Sequence, residues 1–107
     1  MEVNRVTIIT ISYNAVLGIE RTINSVITQT YSNLQYIIID GGSTDGTVDI
    51  IKKYADKIDY WVSEPDSGIY DAMNKGISLA TGQLIGIINS DDWYELDAVE
   101  EIVRAYK

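Results

Sequence analysis

Four short polar clusters interrupt an otherwise apolar chain, and each carries groups able to hold a ligand. The last of them, Asn89-Ser90-Asp91-Asp92, follows a run of Leu, Ile and Gly. Residues two apart at a strand end can point to one side. Carboxylates there suit Mg²⁺ or Mn²⁺ beside two phosphates, since such hard cations take a few protein oxygens and fill their shell from substrate. Ser90, Asp91 and Asp92 are equally suited to cap a helix starting near Glu95. The second cluster is Asp40-Gly41-Gly42-Ser43-Thr44-Asp45-Gly46-Thr47. Its glycines permit close backbone approach, and Asp40 at the strand end can accept hydrogen bonds from a base or a ribose. It lacks the Lys-Ser/Thr of a phosphate-binding P-loop and the acid spacing of an EF-hand. It is not the dinucleotide fingerprint either, and it follows the second strand, not the first. An ordinary Asp/Gly/Ser turn accounts for the same residues.

Two further clusters complete the set. Tyr13-Asn14, just after the first strand, offers an aromatic ring that can border a nucleobase or simply pack beside a turn. Glu64-Pro65-Asp66-Ser67-Gly68 leads into a helix on which Asp71, Asn74 and Lys75 share one side. Lys75 is the one cation near these clusters, and it can meet a phosphate or belong to a solvated face.

The elements that must position these residues are legible from periodicity. Val6–Ile11 is β-branched throughout and reads as a strand buried on both faces. Apolar positions Leu17, Ile19, Ile23, Val26 and Ile27 predict a helix over 17–29. Strands are expected at 34–39, 59–63 and 84–88. Helices are expected around 48–54, with Thr44 or Asp45 as cap, over 69–81 closed by Gly82, and over 95–106. Strand and helix alternate strictly, which implies parallel strands, right-handed crossovers and helices on both faces. Every polar cluster follows a strand, so all four fall on the carboxyl edge. Ligands of open α/β sheets bind there, at the point where strand order reverses.

Composition narrows the chemistry. The 107 residues carry a net charge of -8, from 8 basic and 16 acidic side chains, which disfavours nucleic acid and anionic lipid as partners. Cysteine and histidine are absent, so thiolate sites, disulfides and histidine bases are excluded. With 46% apolar residues the chain is built for one globular domain, residues 1–107. The stretch Met1-Glu2-Val3-Asn4-Arg5 enters a strand pattern at once and lacks the build of a signal peptide. No apolar run reaches membrane-spanning length. A cytoplasmic location is the expectation, with a longer protein peripheral to the inner membrane.

Taken together, the order and spacing of the motifs resemble glycosyltransferase family 2, with its Rossmann-like GT-A fold. The likeness rests on Ile8-Ile9-Thr10-Ile11-Ser12-Tyr13-Asn14, Ser25-Val26-Ile27-Thr28-Gln29-Thr30-Tyr31, and Ile39-Asp40-Gly41-Gly42-Ser43-Thr44-Asp45-Gly46-Thr47. It extends through Ala72-Met73-Asn74-Lys75-Gly76, Ala80-Thr81-Gly82 and Asn89-Ser90-Asp91-Asp92. The resemblance implies an inverting transfer of sugar from a nucleotide-diphospho-sugar, UDP-linked by preference, to a saccharide or lipid-linked saccharide in surface polysaccharide assembly. It implies that Tyr13 borders the base and Asp40 hydrogen-bonds it. It also implies that Asp91 binds the metal, Mg²⁺ or Mn²⁺, with Asp92 beside it, and that Asp66, Asn74 and Asn89 line the donor cleft. The family's catalytic base lies well beyond the metal motif, so it is expected past Lys107, on a half this truncated chain lacks. Three positions depart from the family: Ile11 stands for a usual proline, Gly41 for a frequent second Asp, and Asn89 for the first Asp of Asp-x-Asp. The alternatives are a non-catalytic nucleotide-sugar-binding module and a nucleotidyltransferase, though the latter would carry a Gly-rich basic loop after its first strand.

Overall fold

The computed structural model describes residues 4–106. The expectation for Met1, Glu2 and Val3 lies outside the described residues; Asn4 and Arg5 precede the first strand, which begins at Val6. The elements are β1 (Val6–Ser12), α1 (Ile19–Ile27), β2 (Leu34–Asp40), α2 (Thr47–Lys53), a 3-10 turn (Ala55–Lys57), β3 (Tyr60–Ser63), α3 (Ile69–Leu79), β4 (Leu84–Asn89) and α4 (Ala98–Ala105). The four strands form one parallel sheet in the order β3-β2-β1-β4. The chain steps outward from β1 to β3, then crosses back over the sheet to β4. That reversal places the switch point at the carboxyl ends of β1 and β4.

Alternation along the strands divides the core between two faces. Ile8, Ile38 and Ile88 point to one face, where Ile19, Ile23 and Val26 of α1, Ile51 of α2, and Val99 and Val103 of α4 cover them. Ile9, Ile37 and Ile39 point to the other, where Ala72 of α3 joins them. The expected α/β fold with helices on both faces is what forms. No helix among the described residues is long and apolar enough to cross a membrane.

Several element ends differ from expectation by one to three residues. The first helix runs from Ile19 to Ile27, two residues shorter at each end than expected, and Leu17 stands fully exposed in the preceding turn instead of facing the core. The third helix ends at Leu79, and Gly82 is not its left-handed cap. A Cβ on Gly82 would lie 2.6 Å from the Thr7 backbone nitrogen, so glycine there serves close packing on β1. The last helix starts at Ala98, not Glu95. The carbonyls of Glu95 and Leu96 are instead turned toward α1 and its following loop, accepting from Gln29 Nε2 at 2.7 Å and the Thr30 amide at 3.0 Å.

Candidate functional site

Strand register brings the polar clusters into line. Ser12 pairs with Asp40, Asp40 with Ser63, and Ile11 with Asn89. The carboxyl edge therefore reads Glu64–Asp66, Asp40–Ser43, Ser12–Asn14 and Asn89–Asp92 from one side to the other. Between the first three clusters and the start of α3 lies an open cavity of about 580 Å³. Ser12, Tyr13, Gly41 and Asp66 line it together with the apolar faces of Ile11 and Ile69.

Asp40 is fully buried at the end of β2. Its Oδ1 accepts from the Ser12 and Ser43 hydroxyls, each at 2.6 Å. Its Oδ2 accepts from the Ser63 hydroxyl at 2.7 Å, the Ser43 amide at 2.8 Å and the Gly42 amide at 3.2 Å. Burial pushes the carboxyl pKa up, but the hydrogen bonds from Ser12, Ser43 and Ser63 outweigh it and hold the group below its ordinary value. One carboxylate thus ties β1, β3 and the 41–43 turn to the end of its own strand. The turn continues through Asn14, which adopts a left-handed backbone with φ 47°. Its Oδ1 accepts from the Thr44 amide at 2.9 Å, and its own amide donates to Ser43 Oγ at 2.7 Å. Asp45 Oδ1 accepts from the amide of Thr47 at 3.1 Å and its hydroxyl at 2.6 Å, but neither Thr44 nor Asp45 is the expected cap: the N-cap of α2 is Gly46, with no side-chain cap. These contacts present the Tyr13 ring, 65% exposed, at the cavity mouth.

The fourth cluster is held differently. Asn89, Asp91 and Asp92 are all exposed. Neither aspartate caps α4, whose N-cap residue is Asp97 and which has no side-chain cap. The backbone of the cluster, by contrast, is anchored on α1. Thr22 Oγ1 lies 2.9 Å from Ser90 O and 2.5 Å from Asp92 O. Ser25 Oγ accepts from the Tyr94 amide at 3.1 Å, and Gln29 Oε1 from the Val99 amide at 3.0 Å. A Cβ on Gly18 would come within 3.1 Å of Ser90 O and 3.3 Å of Asp91 Cα, so the start of α1 packs directly under the loop. Thr22, Ser25 and Gln29 are the positioning residues that sequence reasoning left without a role. Their spacing of three and four, running along α1 to just past its end at Ile27 as a polar stripe beside buried Ile23 and Val26, is the signal that marks them.

Two expected residues stand apart. Asn74 is exposed on α3, five residues beyond its start, and does not line the cavity. Lys75 is engaged by Glu64 at 3.2 Å and Asp71 at 3.6 Å, so its ammonium reaches the loop after β3 through an ion pair.

The metal expectation can be set against the groups present. Among the described residues no three acidic, histidine or cysteine side chains gather in one place. Two adjacent exposed carboxylates on an anchored loop, with an amide oxygen two residues earlier, nonetheless fit a Mg²⁺ or Mn²⁺ ion that draws its other ligands from a diphosphate and water.

Comparison with known proteins agrees with this geometry. The glycosyl transferase family 2 model matches residues 7–107. An uncharacterized glycosyltransferase of Mycobacterium tuberculosis is 43% identical over 102 residues, covering 94% of this chain and 39% of its own length. The putative teichuronic acid biosynthesis glycosyltransferase TuaG of Bacillus subtilis is 40% identical over 100 residues, covering 90% of this chain and 39% of its own. The chain thus spans about two fifths of the length of these relatives. Among solved structures, the mannosyltransferase PcManGT of Pyrobaculum calidifontis, in complex with GDP-Man and Mn²⁺, superposes with a TM-score of 0.83 at 26% identity, covering 99% of this chain and 32% of that one. With its GT-A sheet, its strand-end loops and a family match over nearly all its length, the chain belongs to glycosyl transferase family 2.

Proposed function

We propose that this chain carries the donor site of an inverting glycosyltransferase that moves a sugar from a nucleotide-diphospho-sugar to an acceptor hydroxyl. The observation that carries the reading is the pairing, on one sheet edge, of an open cavity bordered by Tyr13 and roomy enough for a nucleoside with an anchored loop of exposed carboxylates. A nucleoside fits the first and a diphosphate the second. Tyr13 and Asp66 bind at the nucleoside end. Asp40 holds the 41–43 turn in shape. Asn89 and Asp91 face the diphosphate end, with Asp92 beside them.

Asp91, with Asp92, is the residue that would hold Mg²⁺ or Mn²⁺. The chemistry such an ion supplies when bound is neutralisation of the charge that grows on the departing nucleoside diphosphate. Asn89 adds no charge of its own, which leaves Asp91 as the principal anionic ligand. Thr22, Ser25 and Gln29 fix the loop in advance, so little ordering remains to be done when donor binds. In an inverting reaction the acceptor hydroxyl attacks the anomeric carbon from the face opposite the diphosphate, and a carboxylate removes its proton. That base is assigned to no residue here. UDP is the nucleotide the resemblance favours, and surface polysaccharide the product class, in line with the relative TuaG, a putative teichuronic acid biosynthesis glycosyltransferase.

Calorimetric titration with UDP, with and without Mn²⁺, tests the reading. Binding that strengthens with Mn²⁺, and that falls about tenfold or more in Asp91→Ala, is the expected result; one lost charge-assisted contact has that size. A folded chain that ignores UDP, GDP and dTDP at millimolar concentration with metal present would overturn it.

A further inference from the structure

Two aspartates border the nucleoside end of the site, and only one has an oxygen to spare. Both oxygens of Asp40 are consumed by the five donors already described, and the side chain is fully buried. Asp66 is different. Its Oδ1 accepts from the Gly68 amide at 3.1 Å, which fixes the carboxylate plane. Its Oδ2 lies only 3.0 Å from where a Cβ on Gly41 would stand, and that same Cβ would meet Tyr13 Cδ1 at 3.3 Å. The missing side chain at position 41 therefore opens a space, and the Asp66 carboxylate reaches across from the β3 loop to occupy its rim beside the tyrosine ring. Among the residues lining the cavity Asp66 is the one charged group; its neighbours Ile11, Pro65 and Ile69 are apolar.

An ionised carboxylate only accepts hydrogen bonds. Placed at the edge of a slot with an aromatic ring for a wall, it sorts flat heterocycles by what their edges offer. Uracil, thymine and guanine each present a ring N–H. Cytosine and adenine present a ring nitrogen lone pair at the equivalent place, which a carboxylate repels. We propose that Asp66 is the base-reading residue of this site, accepting the ring N–H of uracil, thymine or guanine through Oδ2, and that Asp40 acts only by positioning the turn beneath it. This rests on the donor-site reading and deepens it: it names the atom that discriminates between nucleotides.

The test is a binding panel of UDP, GDP, dTDP, CDP and ADP with Mn²⁺, measured on the unaltered chain, on Asp66→Asn and on Gly41→Ala. The unaltered chain should prefer UDP, GDP and dTDP to CDP and ADP. In Asp66→Asn the carboxamide can donate to a ring lone pair, so the UDP-to-CDP preference should fall by about tenfold or more. Gly41→Ala keeps an ordinary backbone conformation but crowds Oδ2, and should weaken UDP while leaving CDP nearly unchanged. Circular dichroism confirms that both variants fold. If UDP binds the unaltered chain and neither variant changes the UDP-to-CDP ratio, Asp66 does not read the base and the donor-site reading survives. If no nucleotide binds the unaltered chain, the donor-site reading fails and this assignment with it.

Discussion

The ends of β2 and β4 both lead into acidic clusters on the same sheet edge, and use their aspartates in opposite ways. Asp40 spends every acceptor it has on the protein: three serine hydroxyls and two amides close over it. Asp91 and Asp92 are exposed, and the work of holding their loop falls to α1 and the residues just after it, through Thr22, Ser25 and Gln29 acting on backbone atoms. A carboxylate that organises a fold is saturated from within. One that waits for a ligand is left free while its backbone is pinned. The contrast separates scaffold from site more sharply than residue type does.

The contrast can be broken at its strongest point first. Asp40→Ala should cost about 4 kcal/mol of folding stability, because it removes a fully buried carboxylate and leaves the buried Ser12 hydroxyl, the half-buried hydroxyls of Ser43 and Ser63 and two amides without their acceptor. Asp91→Ala should leave stability within about 0.5 kcal/mol of the unaltered chain, as exposed substitutions do. Urea unfolding of both variants measures the difference; equal losses would mean that the two loops do not divide the labour as described.

A smaller effect is expected from the α1 anchor. Gln29→Ala removes two hydrogen bonds donated to the Ser25 and Glu95 carbonyls and one accepted from the Val99 amide, for a loss of about 2 kcal/mol. It should also weaken Mn²⁺-dependent UDP binding with no ligand contact removed, since the Asp91 loop loses its support. Calorimetry on this variant sharpens the comparison: a stability loss with unchanged affinity would reduce Gln29 to a core residue.

The smallest effect is the response to acid. The folded pKa of Asp40 is depressed below its ordinary 3.8, so the stability it contributes is fully present above the unfolded value. That share is lost as pH falls through the folded value. Thermal melts between pH 6 and pH 2 should therefore show a steeper decline below about pH 4 for the unaltered chain than for Asp40→Ala, whose carboxylate is gone.

Much of this was open to reading from the chain alone, for a physical reason. Period-two and period-3.6 burial are local, so the β-branched run at Val6–Ile11, the mainly apolar stretch Leu34–Ile39 and the Ile19, Ile23, Val26 stripe report their elements directly. Strict alternation then constrains the sheet to be parallel and sends every strand-end cluster to one edge. Tyr13, Asp40, Asp66 and Asn89 were placed on that edge by this logic, and the structure sets them side by side there.

What sequence could not decide is how each polar atom is satisfied, because that depends on partners far away along the chain. Ser12 and Ser63 reach Asp40 from 28 and 23 positions off, and Gln29 meets Val99 across 70. Asp40 and Asp66 look alike as strand-end acids; only the packed sheet makes one a buried strut and leaves the other an oxygen at a cavity rim. The same holds for Gly82, which local pattern reads as a helix cap and the approach of β1 turns into a packing contact. Sequence determined the elements, their parallel order and the edge on which chemistry gathers, since those follow from short-range periodicity and chain handedness. Tertiary structure alone decided which carboxylates are free to act, since hydrogen-bond saturation is a property of neighbours in space.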